Sequence, residues 1–359
     1  PPIVASSSKQ ASRMAKKTSP KKTANRSMAR AAVSSDFDIV IVGQVGRLQY
    51  EALLLAASLK ANAPDFDGTL YVAEPQKSAL WPKDPSMAGD IKTALEELGA
   101  VILPFENQVF GADYPYGNKI EALCAMPAGR NFLFLDTDTL IVGDLATLET
   151  DFTKPSASMR RTGTWPEEEL YWPGYTATWK SLYDRYGLDF ESTLDTEQPD
   201  EYWQRYLYFN AGWITGHDAP SFGERWKEWA LDVRDNRPGE LVLQSLDPWL
   251  DQVTLPLVIH SFGGGRPGDD LAGLDGDLTC HYRMLPLLYA RENDAVVAAL
   301  ENVSAPNKIK KWLKQYDPFK RMIYQKRGDK VRALFDQNDM PPRERQIRNT
   351  IKREGFWMR

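Results

Sequence analysis

Residues 131–145, NFLFLDTDTLIVGDL, constrain the fold more than any other stretch. The apolar run that opens it is too short for a buried helix and rich in aromatic rings. It reads as a central strand covered on both faces. Two carboxylates stand where the strand should end. In extended backbone, residues two apart face the same way, so Asp136 and Asp138 converge on one point at the carboxyl edge. Open α/β sheets bind their ligands at that edge. Two close carboxylates repel and are driven toward protonation unless a cation lies between them. The pair therefore calls for a hard divalent metal, and the metal for an anionic partner such as a diphosphate.

The chain before this stretch alternates strand and helix signals. Residues 37–43 read as a first buried strand, and 50–61 as a helix with apolar residues at helical spacing that ends before Pro64. Residues 68–73 read as a second strand, 88–98 as a helix stopped by Gly99, and 101–104 as a third strand. Alternating β and α predicts a parallel sheet with helices on both faces, and makes the aspartate-bearing strand the fourth. The first turn, Gly43-Gln44-Val45-Gly46, is not the G-x-G-x-x-G fingerprint, which argues against a nicotinamide cofactor. A short helix near residues 116–123 carries Lys119 close to its start. That lysine is either a solvated surface residue or a phosphate or base contact beside the metal.

Further on the composition changes. Residues 165–213 hold fourteen Trp, Tyr and Phe, more than double the 11% of the whole chain. Trp172, Tyr175, Trp179, Tyr183 and Tyr186 follow helical spacing, so they form either a core-packing face or a platform on which an acceptor sugar stacks. Residues 208–216 read as a strand interrupted by Asn210-Ala211-Gly212, small residues that mark a close approach. Asp247-Pro248 reads as a helix start, with Asp251 and Gln252 in the first turn and the helix running toward Gly263. Residues 261–277 form a Gly/Asp-rich loop, a candidate lid. Residues 278–283 form a short strand bearing His281, one of three histidines.

The net charge of −5 conceals an asymmetry. Residues 1–30 carry eight Lys/Arg and no acid, residues 301–359 sixteen Lys/Arg against seven Asp/Glu, and the stretch between is left at about −22. So acidic a body argues against a nucleic-acid partner. The expected organisation is a basic disordered tail or targeting segment over 1–35, one α/β domain over 36–300, and a basic helical extension over 301–359. Two cysteines without paired spacing, Cys124 and Cys280, indicate neither a zinc knuckle nor a disulfide framework and fit a reducing compartment. No run approaches the length of a membrane span. The expected location is cytoplasmic, with the basic termini as candidates for peripheral contact with an anionic membrane.

Taken in order, Lys119-Ile120-Glu121-Ala122-Leu123, Leu133 to Leu140 with its D-T-D, Phe209-Asn210-Ala211-Gly212, Asp251-Gln252 and His281 resemble the GT-A glycosyltransferases. The nearest look is the glycogenin and lipopolysaccharide galactosyltransferase group, over roughly residues 36–290. The resemblance implies a nucleotide-diphospho-sugar transferase fold, with a mixed, mainly parallel sheet flanked by helices and a helical C-terminal tail. It implies that Asp136 and Asp138 hold Mn2+ or Mg2+ against the diphosphate of a donor, a UDP-sugar first of all, with His281 as third ligand and His260 ranked second. Lys119, Asp136, Asn210, Ala211 and Gly212 would bind the donor. Gly43, at the end of the first strand, is counted with them. Asp251 and Gln252 would lie near the reacting sugar. Where the family often has a Lys-Pro-Trp after its metal histidine, this chain has Tyr282-Arg283-Met284-Leu285-Pro286, and Arg283 is the candidate substitute. The partners implied are a nucleotide sugar and a saccharide or other hydroxyl acceptor. The group resemblance implies retention of configuration. Inversion would need a base such as Asp218, Asp247, Asp269 or Asp270.

Three other readings compete. The same D-T-D after an apolar strand resembles motif I of haloacid-dehalogenase-type phosphatases, with Asp136 as nucleophile. That family places the motif on its first strand and needs a late acidic pair after an apolar strand, whereas Asp269-Asp270 follows Gly-Gly-Gly-Arg-Pro-Gly here. An inactive nucleotide-sugar-binding scaffold is the non-enzymatic reading. In the blandest one, both aspartates merely end a strand and cap the next turn.

Overall fold

The computed structural model describes residues 36–160 and 163–359. The segment 1–35 expected as a tail or targeting sequence lies outside the described residues.

The first half follows the expected alternation: β1 (Phe37–Val42), α1 (Arg47–Asn62), β2 (Leu70–Pro75), α2 (Gly89–Glu97), β3 (Ala100–Phe105), α3 (Asn118–Cys124) and β4 (Asn131–Leu135). Then come β5 (Thr139–Ile141), β6 (Ser156–Ala157), α4 (Tyr175–Arg185), β7 (Trp213–His217), α5 (Ala219–Asp235), α6 (Leu250–Ser261) and β8 (Thr279–His281). The chain finishes with α7 (Leu285–Arg291), α8 (Asp294–Ser304), α9 (Asn307–Leu313), α10 (Asp317–Phe319), α11 (Arg327–Arg332) and α12 (Glu344–Arg353). The main sheet has the order β3-β2-β1-β4-β7-β6. β1 runs parallel to β2 and β4, and β2 to β3, while β7 is antiparallel to both β4 and β6. The mixed, mainly parallel sheet flanked by helices is therefore present, with the aspartate-bearing strand at its centre.

Strand periodicity explains the layers. Every residue of β1 and all but the first of β4 are buried. Ile39, Ile41, Leu133 and Leu135 face one core; Val40, Val42, Phe132 and Phe134 face the other. The first core takes its cover from α1 and α2, the second from α3, α4, α5 and α6.

The C-terminal segment differs from the expected appended tail. The boundary expected at 300 falls inside α8, and Leu313, Phe319, Met322, Val331, Ile347 and Ile351 belong to the same core as α1 and β1. Tyr316 stacks on Tyr50 of α1, ring centroids 5.3 Å apart. Helix α1 is buried almost continuously from Gln49 to Leu59 because the sheet covers one side and these helices the other. The described residues form one compact unit.

Four local expectations are also revised. Helix α6 starts at Leu250 instead of Asp247: its first helical bond runs from the Val253 N–H to the Trp249 carbonyl, and the Pro248 carbonyl accepts from the Tyr114 hydroxyl. Asn210-Ala211-Gly212 precedes β7 and does not interrupt it, because Ala211 takes a left-handed conformation (φ 59°) that breaks the extended run. The Gly/Asp-rich segment is packed down: Leu271 and Leu274 are buried, and Asp275 accepts from the Ser158 hydroxyl. Finally, Tyr175, Trp179 and Tyr183 are buried, and none of the five aromatics at helical spacing lines either cavity at the sheet edge. Those rings are core.

Candidate active site

Where β4 ends, the chain turns over the edge of β1. The buried Thr137 hydroxyl donates to the Val42 carbonyl at 2.6 Å, and the Asp136 N–H donates to the Gly212 carbonyl at 2.9 Å. These two bonds fix the backbone on either side of the turn, so Asp136 and Asp138 both open into a cavity of about 710 Å3. The convergence read from their spacing is present.

The third member arrives by a second route. β5 pairs antiparallel with β8, and Thr139 stands opposite His281. That register sets the imidazole beside Asp138, and the Tyr282 N–H donates to the Asp138 carbonyl at 3.1 Å. His281 Nε2 lies 3.0 Å from Asp138 Oδ1 and 3.7 Å from Asp136 Oδ2. Asp136, Asp138 and His281 each offer a ligand atom within 4.8 Å of the others. Adjacent donors on an octahedral ion at about 2.1 Å stand about 3 Å apart, so this oxygen and nitrogen set fits Mn2+ or Mg2+. His260, the alternative third ligand, lies in α6 with its ring against Tyr183 and lines neither cavity.

Charge organises the surroundings. Burial works against an imidazolium at His281, but Asp138 and Asp136 outweigh it and raise its pKa. Burial likewise opposes the Asp138 carboxylate, and His281 and Arg47 more than compensate, so its pKa falls. Lys119 is no solvated surface residue. Its Nζ is 3.2 Å from Asp136 and 3.4 Å from Asp251, and those carboxylates overcome desolvation to raise its pKa. Asp251 is 1% exposed and accepts from the Tyr114 hydroxyl at 2.8 Å; burial raises its pKa in spite of Lys119. Gln252 points elsewhere, as its neighbouring position on the helix requires. It lines the cavity, and its side-chain carbonyl accepts from the Tyr208 hydroxyl at 2.7 Å.

Of the glycine and alanine positions expected at the donor, none lines the cavity. Gly43 is a packing glycine: a Cβ there would meet Val72 at 2.4 Å and Met87 at 2.7 Å, and the cavity wall at this turn is Val42 and Gln44. Ala211 is fully buried. Gly212 makes room for the histidine, since a Cβ on it would stand 2.4 Å from His281 Nδ1. Asn210 does line the cavity, with its Oδ1 accepting the Gly212 N–H at 2.7 Å.

Several residues at the site carried no signal in the sequence. Arg47 approaches Asp138 at 3.9 Å from the first turn of α1 and pairs with the buried Glu51 at 3.4 Å. Burial and the nearby Asp138 push Glu51 well up. Tyr114 and Tyr208, which hold Asp251 and Gln252, belong to aromatic-rich stretches where no spacing singles out a hydroxyl. Arg348 and Arg359 reach the cavity from the C-terminal segment, and only the folding back of that segment puts them there.

Among solved structures, the chain is similar to the galactosyltransferase LgtC in complex with donor and acceptor sugar analogues, at 15% identity, covering 77% of this chain and 100% of that one, with a TM-score of 0.42. It is similar also to the bifunctional glycosyltransferase WbbM, at 14% identity, 79% of this chain and 52% of that one, TM-score 0.43. A third is the glycosyltransferase GlyE of Streptococcus pneumoniae TIGR4, at 11% identity, 90% and 64% coverage and TM-score 0.36. No curated protein matches the chain. The family described as the Rhodobacterales glycosyltransferase domain matches residues 39–263, from β1 to just past α6 and short of His281. With more than half of its length matched, the chain belongs to that family and is a glycosyltransferase.

Proposed function

We propose that the chain is a metal-dependent hexosyltransferase that moves a sugar from a nucleoside diphosphate, a UDP-sugar, to an acceptor hydroxyl with retention of configuration. The observation that carries this reading is the convergence of Asp136, Asp138 and His281 at one cavity on the carboxyl edge of the sheet. These three side chains would hold Mn2+ or Mg2+, which would supply Lewis-acid stabilisation of the departing diphosphate. In the transfer, the bond between the anomeric carbon and the diphosphate oxygen breaks and the diphosphate keeps the electron pair. The acceptor oxygen forms the new bond to that carbon and gives its proton to the departing diphosphate.

Each remaining side chain has a role in the same frame. Gln252, held by Tyr208 through its carbonyl oxygen, keeps its amide N–H groups for the donor sugar. Asp251 is buried and occupied by Lys119 and Tyr114, so it acts through Lys119 as a positioning residue. Lys119 and Asn210 line the donor side, with Gly212 seating the histidine and Ala211 its backbone turn. Arg283 stands at the mouth as the basic residue that follows the metal histidine.

Retention is supported by the carboxylate inventory. Among the described residues, the cavity's carboxylates are Asp136, Asp138 and Asp251; Asp218, Asp247, Asp269 and Asp270 line neither cavity. One observation favours inversion instead. Asp275, in the adjoining cavity, has its pKa raised by burial despite the Ser158 hydroxyl, a setting that suits a base. The anomeric configuration of the first-formed product, read by NMR, separates the two. The cytoplasmic location is supported by Cys124 and Cys280, which are free thiols. Among the described residues no helix is long and apolar enough to cross a membrane. The phosphatase reading does not survive the family match.

A panel of nucleotide sugars tests the function. With Mn2+ and no acceptor, the purified protein should slowly hydrolyse one donor. No turnover of any donor, with or without metal, overturns the proposal.

A further inference from the structure

A second cavity of about 750 Å3 adjoins the first and shares Gly163, Asn210, His281 and Arg283 with it. Its chemistry differs. The wall carries Arg160, Arg291, Arg343 and Arg345 against two carboxylates, Asp275 and Glu344. Both carboxylates are already committed. Glu344 takes ion pairs from Arg283, Arg291 and Arg348 at 3.2, 2.7 and 2.5 Å, and Asp275 accepts from the Ser158 hydroxyl at 2.8 Å. Behind the wall, Glu292 holds Arg160 at 3.2 Å and Arg291 at 3.3 Å.

Arg343 and Arg345 are different. Both are exposed, and among the described residues no carboxylate forms an ion pair with either. They come from the C-terminal segment, whose sixteen Lys/Arg against seven Asp/Glu stand out in the sequence. The fold brings them to the mouth of the cavity at the N-terminal end of α12, a ten-residue helix whose dipole adds to their field. Trp203, Met340 and Pro341 supply apolar wall beside them.

A diphosphate held against Asp136 and Asp138 sits in the first cavity, and neither aspartate lines the second. An anion drawn to Arg343 and Arg345 therefore belongs to the other reactant. Guanidinium groups with no carboxylate partner suit an oxyanion that they can hold in a fork, while the ring and prolines suit the faces of a sugar. We propose that the second cavity is the acceptor subsite, and that Arg343 and Arg345 there bind an oxyanion, phosphate or carboxylate, carried by the acceptor sugar. This rests on the sugar-transfer reading above.

The test titrates the full chain with methyl galactoside, its 6-phosphate and methyl glucuronide, by calorimetry, with and without saturating Mn2+ and UDP. The charged sugars should bind about tenfold more tightly than the neutral one, a step of one decade in Kd. Arg343→Ala with Arg345→Ala should bring them down to the neutral level, and the Lys pair at the same positions should keep most of the preference. The phosphate and glucuronide arms tell which oxyanion is favoured. Equal binding of charged and neutral sugars, no binding at all, or a preference untouched by the Ala pair overturns the proposal. So does a preference that disappears when Mn2+ and UDP are added, since the anion was then in the donor site. Binding to phosphatidylglycerol vesicles that the Ala pair abolishes, with no preference among the sugars, would give the arginines to a membrane surface instead. Donor hydrolysis by the unaltered protein is scored separately. Its absence beside an intact preference removes the transferase reading and the acceptor role with it, leaving Arg343 and Arg345 as an anionic-sugar site, and its presence without a preference removes only the acceptor subsite.

Discussion

Gly212 and His281 are packed so closely that a single methyl group on the glycine would lie 2.4 Å from the imidazole Nδ1. The contact joins the segment before β7 to β8, two parts of the chain nearly seventy positions apart. The glycine holds the space in which the His281 imidazole sits.

Gly212→Ala should therefore act on metal binding. The ring must shift by several tenths of an ångström, enough to lengthen one bond to the cation. Mn2+ affinity measured by calorimetry in the presence of UDP should fall by about tenfold, within the range seen when the partners that orient a ligand are lost. An unchanged affinity would show that the ring swings freely.

Asp138→Asn should remove metal-dependent nucleotide binding altogether. In the proposed site the carboxylate would be one of two anionic donors, and an amide would supply a weaker oxygen ligand with no charge. Nucleotide titrations with and without Mn2+ check this. If the metal still increases affinity in the variant, the assignment of Asp138 fails.

Metal affinity should rise with pH. A protonated imidazole cannot ligate, and the pKa of His281 is raised above its ordinary 6.5 by Asp138 and Asp136 over the opposing effect of burial. Below that raised pKa each unit of acidification should weaken Mn2+ binding by up to about tenfold, and above it the curve should level. His281→Gln should flatten the dependence across the same range.

Lys119→Ala should destabilise the protein by about 3–5 kcal/mol, the usual cost of leaving a buried carboxylate unpaired. Asp251 is that carboxylate, fully buried and with Lys119 as its ion-pair partner. Urea unfolding of the two proteins gives the difference. A loss below about 1 kcal/mol, the range of surface ion pairs, would mean that the pair is hydrated.

Leu313→Ala tests the C-terminal segment. Leu313 is fully buried in the core shared with α1, and removing its side chain from such a place costs about 2–5 kcal/mol. One cooperative unfolding transition, shifted as a whole, is expected. A separate low-stability transition carrying all of the loss would restore the reading of this segment as an appendage.

Much of this protein was readable from local pattern. The alternation of strand and helix through the first half, the burial of Phe132 to Leu135 on both faces, and the convergence of Asp136 with Asp138 follow from periods of two and 3.6 residues, which act over short distances along the chain. The D-T-D turn at the sheet edge is of this kind. Tertiary structure decided what distance along the chain conceals. His281 reaches Asp138 through the register of β5 with β8; Lys119 is a buried counter-ion because α3 and α6 pack on one face of the sheet; and the basic C-terminal segment packs into the core of α1 and β1 and brings arginines to the site. Charge counts along a sequence say how many cations a segment carries. Where those cations stand depends on which apolar side chains between them are buried, and Leu313, Val331 and Ile347 settle that here.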